Sequence, residues 1–140
     1  MKVFKLIFQF FIEISMFKYL IITHGSIGES LLECVEKNLQ KSVNTIDIIS
    51  LNPTDINQSK SNLKDYISKH SDHDLIIMTD LYGASSSNIV KPYTKNKNIY
   101  AISGLNLPML MKAVTFKTDD VQIMIDEIIK CGNKSIINFL

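Results

Sequence analysis

The chain has 140 residues, 46% of them apolar and 21% charged, the profile of one globular domain rather than of a disordered segment or a fibre. Fifteen basic residues against 14 acidic ones leave a formal net charge of +1, which excludes the basic field that holds a nucleic-acid backbone. All the basic residues are lysines, so a phosphate site here must use backbone N–H groups, hydroxyls, lysine or histidine, without a bidentate guanidinium.

Met1–Ser15 begins basic and turns apolar, but its apolar run Leu6–Ile12 is short, Glu13 interrupts it and no small-x-small cleavage site follows. A membrane span needs ~20 apolar residues, and Glu13 and Lys18 would fall inside one. Residues 1–15 therefore read as an N-terminal extension, such as an upstream start codon would add, with a packed or membrane-surface helix, or an export signal, as the alternatives. The domain proper runs over residues 16–140.

Phe17–Ile22, apolar apart from Lys18, is the first predicted strand, and Thr23-His24-Gly25-Ser26 is its turn. Helical spacing follows in Ile27, Leu31, Cys34, Val35 and Leu39, which places Cys34 on the buried face. Thr45–Ile49 is a second strand, and Asn52-Pro53-Thr54-Asp55 starts a helix that ends near His70. Asp74–Thr79 is a third strand, leading into Asp80-Leu81-Tyr82-Gly83. A helix from about Ser86 must kink or end at Lys91-Pro92. Asn98–Ile102 is the fourth strand, followed by Ser103-Gly104-Leu105-Asn106-Leu107-Pro108 and a helix over Met109–Phe116. A last helix runs from Thr118-Asp119-Asp120 to Gly132, and Ser135–Phe139 is a short final strand.

Strands that alternate with helices and are apolar almost throughout make a parallel sheet covered on both faces, an α/β doubly wound fold. Such sheets bind at the carboxyl ends of their strands, where the strand order reverses. Three polar, turn-rich strand ends qualify: Thr23–Ser26, Asp80–Asn88 and Ser103–Asn106. His24 there lies just before a helix N-terminus, whose N–H groups favour an anion such as a phosphoryl group beside the imidazole. Neutral imidazole is a nucleophile, and Asp80 could hold one ring nitrogen and aim the other outward. Ser85, Ser86 and Ser87 offer hydroxyls to phosphoryl oxygens, and Gly83 lets backbone approach. Each feature taken singly also has a plain structural explanation, as a cap, a loop or packing. Their joint placement favours chemistry.

At these residues the chain resembles the IIA component of the mannose-family sugar phosphotransferase system. Leu20-Ile21-Ile22-Thr23-His24-Gly25 with Leu31-Leu32 is similar to the family's opening. Asp80-Leu81-Tyr82-Gly83-Ala84-Ser85-Ser86-Ser87-Asn88 resembles its second motif: aspartate, two residues, Gly-Gly-Ser/Thr-Pro, then x-Asn. Gly104-Leu105-Asn106-Leu107-Pro108-Met109 resembles its third, Gly-x-Asn-Leu-Pro-Met. In the second motif Ala84 stands for the second glycine, Ser86 for the proline and Ser87 for a bulky residue. The resemblance implies that His24 accepts a phosphoryl group from HPr and passes it to a IIB component. It implies that Asp80 orients His24, and that Ser85, with Gly25, Ser26 and Gly83, holds the phosphoryl group. Tyr82, Asn88, Asn106, Leu107 and Pro108 would line the site or meet a partner. It further implies a four-stranded parallel sheet completed by an antiparallel strand, here Ser135–Phe139, exchanged in a homodimer. The membrane would be reached only through a IIC/IID complex.

Other readings stand beside this one. His24-Gly25-Ser26-Ile27-Gly28 departs from the Gly-x-Ser-x-Gly elbow of serine hydrolases at its first position, where His24 stands for glycine. A flavodoxin-like small-ligand module would use the same strand ends, but no Gly-x-Gly-x-x-Gly run or phosphate-loop lysine is present. A regulatory phosphoacceptor, or a relative of the phosphotransfer subunit of dihydroxyacetone kinase, keeps the chemistry and changes its purpose. His70 and His73 read as a solvated helix end, with no cofactor or metal site expected. Cys34 and Cys131 are too few for a disulfide framework and fit a reduced, cytoplasmic compartment.

Overall fold

A computed structural model describes residues 17–139, so the expected extension Met1–Ser15 lies outside the described residues. Four strands, β1 (Phe17–His24), β2 (Ile46–Leu51), β3 (Asp74–Thr79) and β4 (Ile99–Ser103), form one parallel sheet in the order β2-β1-β3-β4. Helices α1 (Ile27–Leu39), α2 (Ile56–Lys69), α3 (Ser85–Val90), α4 (Leu107–Thr115) and α5 (Val121–Lys134) cover it, with a 3₁₀ turn at Lys91–Lys95. This is the expected doubly wound α/β fold. From β1 the chain steps to β2 on one side, and β3 then adds on the other, so the strand order reverses between β1 and β3.

Two cores follow from the two-residue period of the strands. Tyr19, Ile21, Ile76, Met78 and Ile102 face one way, under Val35 of α1, Leu110 of α4 and Ile128 of α5. Leu20, Ile22, Leu75, Ile77 and Ile99 face the other, under Leu63 of α2 and Ile89 and Val90 of α3. The helix ends are built from side chains that the sequence supplies. Asp55, Asn106 and Asp120 cap α2, α4 and α5 by accepting backbone N–H groups of the first turn. Pro92 sits at the start of the 3₁₀ turn, where its missing N–H costs little.

Two sequence expectations are corrected. Cys34 is exposed, because the buried stripe of α1 runs through Gly28, Leu31, Leu32, Val35 and Leu39. Cys34 is one residue, about 100° of helix turn, before Val35 and falls outside that stripe. The last helix does not stop at Gly132 but continues to Lys134. Glycine stands there because a Cβ would come within 2.6 Å of Met109 Cγ on α4, so the residue permits close helix packing instead of ending the helix. Gly28 plays the same part under α1, where a Cβ would meet Thr23 Oγ1 at 3.0 Å and Ile48 Cγ2 at 3.1 Å.

In the single chain Ser135 forms a turn, and residues 136–139 carry no strand. No described helix is long and apolar enough to cross a membrane.

Candidate functional site

The carboxyl ends of β1 and β3 lie side by side, with Ile22 paired to Thr79, and the next residues bring His24 against Asp80. His24 Nδ1 is 2.8 Å from Asp80 Oδ2, and the His24 backbone N–H donates to the same oxygen at 2.9 Å. The other carboxylate oxygen, Oδ1, accepts the Leu81 N–H at 2.9 Å and the Ser86 hydroxyl at 2.7 Å. Asp80 is thus ringed by four donors. A carboxylate accepts from the imidazole, so Nδ1 carries the hydrogen and the lone pair lies on Nε2. The His24 side chain is 38% exposed against 12% for Asp80, so the nucleophilic nitrogen is reachable while its partner is covered.

Burial alone would raise the Asp80 carboxyl, but the His24 N–H, the Ser86 hydroxyl and the His24 ring outweigh it and hold it at about 2, below its ordinary 3.8. A carboxyl lowered on folding contributes stability that is full above its unfolded value and lost as pH falls through its folded one. Acid unfolding of wild type and Asp80→Asn should therefore converge between about pH 4 and pH 2, by an amount on the order of 2 kcal/mol. Parallel curves over that window would show that Asp80 is not held this way.

Gly25 adopts φ +52°, a left-handed turn that swings the chain from β1 into α1 immediately after His24. Ser26 precedes the helix without a side-chain cap. The buried Thr23 hydroxyl instead accepts the Gly28 N–H at 2.9 Å. That fixes the first turn of α1, whose N–H groups have no partner within the helix, directly after His24 in the chain. Glu29 of the same turn accepts the Ser50 hydroxyl at the end of β2.

The three serines of the second loop part company. Ser87 Oγ accepts the Gly83 N–H and donates to the Ala84 carbonyl, closing the loop on itself. Ser86 is fully buried and donates to Asp80. Ser85 is exposed, and among the described residues its hydroxyl has no hydrogen-bond partner, so it alone of the three is available to a ligand. The expectation that all three could reach phosphoryl oxygens is corrected accordingly. Asn88 donates to the Gly83 carbonyl at 3.2 Å and so braces the same loop. Leu81 and Tyr82 are 59% and 79% exposed beside Asp80.

The third loop is tied into the scaffold at the start of α4. Asn106 Oδ1 caps Met109 N–H and its Nδ2 reaches the Gly132 carbonyl, so that side chain joins α4 to α5. Leu107 packs against the first core, and Pro108 lines a groove with Lys112, Glu127 and Lys130. None of Asn106, Leu107 and Pro108 has a hydrogen bond to His24 or Asp80 among the described residues. The loop touches the site indirectly, through Leu105 N–H to the Thr79 carbonyl and the Thr79 hydroxyl to Ser103. A groove of about 840 Å³ lined by Lys18, Lys41, Lys117 and Phe116 opens at the amino ends of the strands, away from His24. Among the described residues no group of three or more His, Cys, Asp or Glu is placed to hold a metal ion.

The family model described as the fructose IIA component of the phosphotransferase system, EIIA-man, matches residues 18–130. No curated protein matches the chain in sequence. Among solved structures, the chain is similar to the mannose/sorbose-specific IIA subunit of Enterococcus faecalis, at 17% identity and TM-score 0.80, over 88% of this chain and 94% of that one. It is also similar to a putative phosphoenolpyruvate-dependent sugar phosphotransferase permease of Klebsiella pneumoniae, at 24% identity and TM-score 0.77, over 87% and 90%. A IIA protein associated with the fucose utilization operon of Streptococcus pneumoniae aligns at 20% identity and TM-score 0.75, over 87% and 92%. These likenesses concern the fold, whereas the family model spans the residues of the site, from β1 through the second loop to α5. The chain therefore belongs to the mannose-type IIA family, and its role is phosphotransfer within the sugar phosphotransferase system.

Proposed function

We propose that the protein is a phosphohistidine carrier, taking a phosphoryl group from HPr on His24 Nε2 and passing it to a IIB component. The observation that carries this is the Nδ1–Asp80 contact, which leaves Nε2 as the nucleophile at an exposed strand end. As the Nε2–phosphorus bond forms, the bond between phosphorus and the donor breaks, and the imidazole gains positive charge. The Asp80 carboxylate faces that charge from the protected side. The Ser85 hydroxyl and the first-turn N–H groups after Gly25 and Ser26 hold the phosphoryl oxygens, in a chain without arginine. Transfer to IIB reverses the same steps. Leu81 and Tyr82 lie beside the site as apolar contacts for these protein partners.

With enzyme I, HPr and labelled phosphoenolpyruvate, the protein should take up one phosphoryl group per chain, acid-labile and base-stable, and surrender it to a IIB component. No uptake would overturn the proposal. Such a carrier works in the cytoplasm and meets the membrane only through IIC and IID.

Ile136, Ile137 and Phe139 are 80%, 66% and 92% exposed, a dense apolar run at the surface of one chain. This supports a homodimer in which residues 135–139 add a strand to the partner's sheet. Sedimentation equilibrium should give a dimer for the full chain, and deletion after Lys134 should dissociate or aggregate it. A monodisperse monomer of the full chain would contradict the exchange.

A further inference from the structure

We propose that Ser86 is a positioning residue for phosphotransfer: its buried hydroxyl clamps Oδ1 of Asp80 so that Oδ2 stays trained on the imidazole of His24. The inference rests on the reading of His24 as the phosphoacceptor and extends it to a residue whose counterpart in the family pattern, proline, has no hydroxyl to donate.

The four donors around Asp80 are not equivalent. Two come from His24 and act on Oδ2. The Leu81 N–H belongs to the next residue in the chain and travels with Asp80. Ser86 is the donor to Oδ1 from a separately anchored element, α3, whose Ile89 and Val90 are buried in the second core. Its hydroxyl has a second acceptor in reach, the Leu81 carbonyl at 3.4 Å, but the 2.7 Å contact with a charged oxygen is the stronger one. Ser86 has no exposed surface, so no water replaces it when the hydroxyl is removed.

Without that bond the carboxylate can turn about its Cβ–Cγ axis and becomes more basic. The titratable side chain that hydrogen-bonds to Asp80 among the described residues is His24 on β1; α3 presents Ser86 and the loop presents the Leu81 N–H. The consequence therefore reaches the imidazole directly. A looser carboxylate lets the ring populate the tautomer with hydrogen on Nε2, which cannot attack phosphorus.

The test compares Ser86→Ala with Ser87→Ala, which removes a neighbouring hydroxyl that closes the same loop without touching Asp80. Nitrogen-15 spectra of the His24 ring and the carboxyl-carbon titration of Asp80 are read in each, with phosphoryl transfer from HPr alongside. Ser86→Ala should raise the Nε2–H tautomer, move the Asp80 titration upward and slow transfer roughly tenfold, one hydrogen bond's share. Ser87→Ala should leave both spectra as in wild type. If Ser86→Ala fails to fold, Ser86→Pro replaces it, since the second position of a helix has no intrahelical use for its N–H. Unchanged ring and carboxyl signals in the Ser86 variant, or equal changes in Ser87→Ala, would overturn the proposal. If wild type takes no phosphoryl group from HPr, the functional reading fails, while the two spectra still decide whether Ser86 positions Asp80.

Discussion

His24→Ala should abolish phosphoryl uptake while leaving the fold intact. The side chain supplies the attacking lone pair, and no neighbour can replace it: Asp80 is enclosed by donors, and hydroxyls such as Ser85 and Ser26 have no base to activate them once the imidazole is gone. Labelling should fall from one group per chain to background, well over a hundredfold, as losses of a catalytic nucleophile do. The fold should survive because the ring lies at the end of β1 and is 38% exposed. The backbone N–H of residue 24 still reaches Oδ2, so Asp80 keeps three of its four donors. Thermal unfolding should show a loss of about 1 kcal/mol or less, one hydrogen bond's share. Undiminished labelling in this variant would remove His24 from the mechanism.

Asp80→Asn should slow transfer by roughly 10²–10⁴-fold, the scale on which a tautomer-setting carboxylate matters. Each carboxylate oxygen accepts a backbone N–H, from His24 on one side and Leu81 on the other. An amide must therefore turn its NH₂ toward one backbone donor whichever way it lies. If the NH₂ faces His24, Nδ1 has to accept and the ring hydrogen moves to Nε2, the wrong nitrogen. If it faces Leu81, the oxygen stays on His24 but without its charge, so the phosphoimidazolium loses its counter-ion. Either arrangement also leaves a poorly satisfied donor, costing about 1–3 kcal/mol of stability. A variant that transfers at the wild-type rate would mean that the contact is structural only.

The sequence reading and the structure agree where a local pattern decides the outcome. The run Asp74–Thr79 is bounded by turn residues on both sides and is the third strand over that same span. The starts expected at Asn52–Asp55 and Thr118–Asp120 are helix starts, with Asp55 at the cap and not inside the first turn, and Asp120 at the other cap. They differ where a residue's neighbours come from elsewhere in the chain. Gly132 looks like a helix stop until Met109 of another helix is seen against it. Asn106 caps Met109 in the next turn, and its bond to Gly132, 26 residues on, could not be read from its own motif. Ser85, Ser86 and Ser87 look alike in the chain; only the start of α3 turns one to solvent, one to Asp80 and one into the loop. The juxtaposition of His24 and Asp80, 56 residues apart, was accessible because adjacent parallel strands must bring their carboxyl ends together.

The central claim is that Asp80 holds Nδ1 and leaves Nε2 to take the phosphoryl group. Protein labelled with nitrogen-15 in histidine, phosphorylated through enzyme I and HPr, tests it by the coupling of phosphorus to the ring nitrogens. The account predicts phosphorus on Nε2 of His24, with hydrogen on Nδ1 both before and after transfer. Phosphorus on Nδ1, or on another residue, would contradict it.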